Sequence, residues 1–130
     1  MTSTVHVAVA VIVNSGNEVL IALRHLHQHQ GGLWEFPGGK VETGETVFNA
    51  LVRETQEELA VTIQAAKPLI KIAHDYGDKS VLLDVWTVSE FTGTPQGQEG
   101  QTLRWCGITD LVDDDFPAAN AAIINALRQE

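Results

Sequence analysis

Short apolar runs alternate along the chain with polar, glycine-bearing segments, and each run predicts an element. Val5 to Val13 is apolar and β-branched, the signature of a buried strand. Asn14-Ser15-Gly16-Asn17 has turn chemistry and Glu18 to Arg24 reads as a second strand, so the two are expected to form a hairpin. His25 to Gly32 is polar with paired glycines, hence a loop, and Trp34-Glu35-Phe36 is a short extended piece that stops at Pro37. Thr46 to Leu59 is the clearest helix: Val47, Ala50 and Leu51 recur at helical spacing, and Thr46 suits the N-cap. Ile63 to Ala73 and Val81 to Glu90 predict strands on either side of the turn Tyr76-Gly77-Asp78. Thr92 to Gly100 is a loop by its Gly, Pro and Gln content, and Leu103 to Cys106 is a short final strand. Pro117 to Arg128 predicts a closing helix with Ala119, Ile123, Ala126 and Leu127 along one side. Strands before and after a central helix, then a closing helix, predict an α/β fold with a mixed sheet between two helices.

The length, 130 residues, suits a single domain over 1–130. Composition changes the picture mainly through charge. Eight Lys and Arg against seventeen Asp and Glu give a formal net charge of −9. That balance argues against a nucleic-acid polymer as partner, because there is no cationic excess to replace counterions. It leaves open a small anion bound through a metal. The single cysteine, Cys106, excludes an internal disulfide and fits a reducing compartment. No apolar run approaches the roughly 18 residues of a membrane span, and Met1 to Val5 lacks a signal peptide's basic region and cleavage site. A cytoplasmic protein without a membrane partner is expected.

The chemistry is concentrated between Gly38 and Glu58. On the central helix Glu54, Glu57 and Glu58 share a face, since residues three and four apart are neighbours. Carboxylates so placed repel by a few tenths of a kcal/mol per pair. A hard divalent cation removes that penalty, and Mg²⁺ also bridges protein carboxylates to substrate phosphates. A solvated acidic face is the plainer alternative. Gly38-Gly39 favours the metal, because it permits a tight turn and a close backbone approach that offers one more carbonyl oxygen. Lys40 and Arg53 suit orienting carboxylates or meeting phosphate, and Glu45 stands where it can pair with Arg53.

With these residues in place, Gly39 to Val61 resembles the Nudix box, G-x5-E-x7-R-E-U-x-E-E-x-G-U with U aliphatic. Gly39, Glu45, Arg53, Glu54, Glu57, Glu58 and Val61 match in order and spacing. Thr55 replaces an aliphatic residue, and Ala60 replaces a glycine, at a cost of about 1 kcal/mol if that position is a left-handed helix cap. The resemblance covers nearly the whole chain. It is nearest the branch of the family that hydrolyses 8-oxo-dGTP, through Trp34-Glu35-Phe36-Pro37-Gly38-Gly39-Lys40 and Asp115-Phe116-Pro117-Ala118-Ala119-Asn120.

The resemblance implies an α/β/α sandwich and hydrolysis of a nucleoside triphosphate to the monophosphate and diphosphate, with attack at the β-phosphorus. It implies Mg²⁺, with Mn²⁺ as a substitute, held by Glu54, Glu57, Glu58, Glu99 and the Gly38 carbonyl. Arg53, Glu54, Glu57 and Glu99 would be the catalytic group, with the general base open among the three glutamates. Arg24, His29, Phe36 and Asn120 match nucleotide-contacting positions. Lys79 stands where that branch has an arginine, and a lysine lacks the planar fork. A monomer or weak dimer is expected. The box does not choose among nucleotides, so a pyrimidine triphosphate, a dinucleoside polyphosphate or a nucleotide sugar remains an alternative substrate. A non-catalytic nucleotide-binding module is a further alternative, which the intact glutamates oppose.

Other features have plainer explanations. His25, His27 and His29 alternate in a loop that need not converge on a metal, and Asp113-Asp114-Asp115 suits a solvated turn. Trp34, Trp86 and Trp105 are expected to pack at the core or its edge, and Cys106 to be buried and inert.

Overall fold

The computed structural model describes residues 4–129. Of the start Met1 to Val5, only Thr4 and Val5 therefore fall within the described residues. The elements run β1 (Thr4–Ile12), β2 (Glu18–Leu23), β3 (Trp34–Glu35), β4 (Gly38–Lys40), α1 (Val47–Leu59), β5 (Thr62–Asp75), β6 (Ser80–Thr92), β7 (Leu103–Gly107) and α2 (Ala118–Arg128). One-turn 3-10 helices at Ile108–Asp110 and Asp113–Asp115 lead into α2. A four-stranded mixed sheet has the order β4-β1-β6-β5, and a three-stranded antiparallel sheet has the order β3-β2-β7.

The expected hairpin of the first two strands does not form. The turn closes locally, with Asn14 N–H donating to the Glu18 carbonyl, but the only pairing across it is an isolated bridge between Val13 and Val19. β1 instead pairs parallel to β6 along its whole length and antiparallel to β4, while β2 pairs with β3 and β7. The physical reason lies in burial. Ala8 to Ile12 are all buried, on both faces of the strand, as a central strand requires and as half of an exposed hairpin does not.

The mixed sheet separates two cores. Ala8, Ala10 and Ile12 face α1 through Ala50, Leu51 and Leu59. Val9 and Val11 face α2 through Ala119, Ile123, Ile124 and Leu127. The layers are thus helix, sheet, helix, as anticipated. Thr46 caps α1 by accepting the Asn49 N–H at 3.1 Å. Thr55 is fully buried in α1, and its hydroxyl donates to the Leu51 carbonyl at 2.9 Å, so the polar group left in the core is satisfied. Trp34, Trp86 and Trp105 pack against the cores, and Cys106 is buried. β5 lies on the outer edge of its sheet and contains Pro68, beside which the register shifts. Proline, which donates no amide hydrogen, is tolerated at such an edge.

Candidate active site

The sequence Gly38-Gly39 is dictated by two close approaches. A Cβ on Gly38 would run into the Ala8 carbonyl across the β4–β1 pair, and one on Gly39 would occupy the space of the Glu54 carboxyl. In place of the tight turn expected of Gly38-Gly39, these residues form strand β4, paired with β1 and pressed against Glu54 of α1. Arg53 fixes the arrangement. Its Nε and Nη2 donate to the two oxygens of Glu45 at 2.8 and 2.9 Å, Nη2 also donates to the Lys40 carbonyl at 3.0 Å, and Nη1 donates to Glu54 at 2.8 Å. Glu57 lies 3.5 Å from Nη1. The guanidinium beside Glu45 holds that carboxyl down at about 2. Arg53, expected among the catalytic group, is tied by these bonds to Glu45, Glu54 and the Lys40 carbonyl, and so orients the acidic face of α1.

Glu58 is the carboxylate α1 turns inward. Burial, then the adjacent Glu54 charge and a hydrogen bond with that carboxyl, push it up to about 9. Glu99 and Glu35 add to the repulsion. Glu99 comes close because its loop caps the end of α1: Gln96 N–H donates to the Leu59 carbonyl at 2.9 Å, and Gln98 N–H and the Gln101 amide donate to the Glu58 carbonyl at 3.0 and 3.2 Å. The last carbonyls of a helix lack internal partners, and this loop supplies them. Gln101 also accepts the Glu99 N–H at 2.9 Å. The acidic cluster is thus held together against its own charge, and a hard-oxygen set of this kind suits Mg²⁺. Among the described residues, no three His, Cys, Asp or Glu side chains already stand in ligating geometry.

A cleft of about 270 Å³ opens between the two sheets and α2. Glu58, Glu99, Gly38 and Lys40 line it. Arg24, His29, Phe36, Lys79 and Asn120 line it as well, so nine of the twelve residues singled out from sequence share one cavity. Arg53, Glu54 and Glu57, on α1, are not among its lining residues. Phe36 is buried and stacks on Phe116 at 5.5 Å between ring centroids. Arg24 is committed within the protein: its guanidinium pairs with Glu35, and its Nε donates to the His29 carbonyl at 2.8 Å. His29 Nε2 lies 3.2 Å from Asp78, and its ring meets Tyr76 edge-on at 5.1 Å.

Sequence reasoning missed Glu35, Gln101, Tyr76 and Asp78. Glu35 lines the cleft and is raised by burial against the opposing pull of Arg24. Its signal was a carboxylate between two aromatic residues in an extended piece. The others lie in segments that read only as turn or loop. His25 and His27 stack on each other, whereas the His29 ring meets Tyr76.

The Nudix domain family matches residues 8–126. The chain belongs to the Nudix family. The Nudix assignment is accompanied by near full-length relatives. An Escherichia coli 8-oxo-dGTP diphosphatase is 40% identical over 123 residues, covering 95% of each chain. An Escherichia coli CTP pyrophosphohydrolase is 34% identical over 118 residues, covering 91% of this chain and 87% of that protein. A solved MutT structure, from work on the Aliivibrio salmonicida and Vibrio cholerae proteins, superposes with a TM-score of 0.85 at 36% identity, covering 98% of this chain and 100% of that one.

Proposed function

We propose that this Nudix protein hydrolyses 8-oxo-dGTP to 8-oxo-dGMP and diphosphate in a Mg²⁺-dependent reaction, clearing the oxidised nucleotide from the cytoplasmic pool. The observation that carries this reading is one cleft lined by Glu58, Glu99 and the Gly38 backbone together with Phe36 and Asn120. The relative named 8-oxo-dGTP diphosphatase, at 40% identity, supports it. Glu54, Glu57, Glu58, Glu99 and the Gly38 carbonyl would hold Mg²⁺, or Mn²⁺ in its place, which when bound neutralises phosphate charge and lowers the pKa of water.

The chain's own groups do the rest. Arg53 keeps Glu54 and Glu57 oriented on α1. A glutamate of the set Glu54, Glu57 and Glu99 takes the proton from the attacking water. Lys40 and Lys79 supply positive charge at the cleft for the phosphates. Asn120 offers an amide donor and acceptor side by side. Guanine presents two acceptors, O6 and N7, along its Hoogsteen edge. Oxidation at C8 places a hydrogen on N7, so one asparagine orientation then pairs with both atoms. Against unmodified guanine the amide oxygen faces a lone pair, a mismatch of about 1–3 kcal/mol or on the order of 10- to 100-fold.

The test is kcat/KM on 8-oxo-dGTP, dGTP and CTP, with and without Mg²⁺, for the wild type and Asn120→Ala. A preference for 8-oxo-dGTP that the variant largely loses is expected. Equal loss on both purine nucleotides would make Asn120 structural. A wild type that prefers CTP would move the protein toward the activity named for its other Escherichia coli relative.

A further inference from the structure

The first turn of α2 is built without a conventional cap. Pro117 occupies the N-cap position and makes no side-chain cap bond, although the first amides of a helix need an acceptor from outside it. That acceptor comes from far away in sequence: the Tyr76 hydroxyl accepts the Ala119 N–H at 3.0 Å. Asn120 is the next residue, and its own N–H donates to the Pro117 carbonyl at 2.9 Å within the same turn.

Tyr76 also faces the other way. Its ring meets the edge of His29 at 5.1 Å, and His74 packs on it at 4.3 Å. It belongs to the β5–β6 turn, closed by Tyr76 N–H donating to the Lys79 carbonyl at 2.8 Å. One side chain therefore ties together the helix turn carrying Asn120 and the loop carrying His29, and it lines the cleft they share.

We propose that Tyr76 is a positioning residue for nucleobase selection, its hydroxyl setting the first turn of α2 so that Asn120 is held in one register against the base. This rests on the proposed role of Asn120 and deepens it. A side chain that reads a base by a donor and an acceptor needs its backbone fixed, because discrimination is lost once the amide can move to suit either edge.

Tyr76→Phe removes one oxygen and keeps the ring. The ratio of kcat/KM between the nucleotide the wild type prefers and its least favoured purine should fall about 3- to 10-fold, the factor that one neutral hydrogen bond is worth. The change should enter through KM for the preferred nucleotide, and hydrogen exchange at the Ala119 amide should accelerate. In an Asn120→Ala background the same substitution should leave the ratio where Asn120→Ala alone put it, since coupled residues are non-additive. An unchanged ratio in Tyr76→Phe overturns the proposal. So does a further, additive fall in the double variant, which would mean Tyr76 does not act through Asn120. Because the ratio is taken from whichever nucleotide the wild type prefers, a preference for CTP would refute the 8-oxo-dGTP assignment while the Tyr76 comparison still gives its own answer.

Discussion

Glu58 and Glu45 lie near the two ends of the same acidic motif and respond to pH in opposite directions. Glu45, held at about 2 by Arg53 against an ordinary 4.5, favours the folded state above pH 4.5, and that contribution is lost as pH falls through 2. Glu58, pushed to about 9, favours the folded state fully below pH 4.5 and loses that contribution as pH rises through 9. Metal-free protein should therefore melt at progressively lower temperature between pH 5 and 9, and Glu58→Gln should flatten that slope. Mg²⁺ should raise the Tm more at pH 9 than at pH 5, because a cation favours the ionised carboxylate. Thermal melts in chelator and in Mg²⁺ at both pH values check both statements. For Glu57→Gln, which keeps shape and removes one charge, turnover should fall at least ~100-fold and Mg²⁺ affinity should drop. Steady-state kinetics with a metal titration would show it, and unchanged activity would remove Glu57 from the proposed site. These residues were legible in the sequence because helical spacing puts Glu54, Glu57 and Glu58 on one face whatever the rest of the chain does. Tyr76 was not legible: the residue it caps is 43 positions away, and no local pattern encodes such a contact.

Among the elements, α1 follows its sequence almost residue for residue. Its end does too: Ala60 has φ 57° and ψ 36°, the left-handed conformation that the glycine of the box would adopt without strain. Ala60→Gly should stabilise the protein by about 1 kcal/mol with little change in rate. Chemical denaturation gives the sign directly, and a loss of stability would mean the surrounding packing needs the methyl group. Strand pairing was less legible than strand position. Turn residues Asn14 to Asn17 report a local reversal of the chain, and that reversal exists. They do not report which neighbours the two strands choose afterwards, because that choice depends on burying both faces of β1 between β4 and β6. The short strand β4 escaped notice for a related reason. Gly38-Gly39-Lys40 has no strand propensity, and its pairing is imposed by contact with β1.

For the molecule as a whole, apolar periodicity anticipated the helix–sheet–helix layering, but not the second sheet. The sheet that separates the cores makes a quantitative prediction. Leu51 and Ile123 are both fully buried, in different clusters on opposite faces. Leu51→Ala and Ile123→Ala should each cost about 2–5 kcal/mol. Their effects should add to within about 0.5 kcal/mol, with a single unfolding transition retained where the double variant still folds. Urea titrations of the singles and the double would test this, and strong coupling would show that the two faces pack as one.

Pro68 has a consequence for what happens between molecules. An outer strand as long as β5, 14 residues, is a template on which another chain could zip amide by amide. Pro68 breaks the row of donors, the adjoining shift in register bends it, and Lys67 and Lys71 place positive charge along it. The edge that closes the fold is thereby denied to fibrillar growth at high concentration, and Pro68→Val should restore the template and shorten the lag before thioflavin-positive aggregates form.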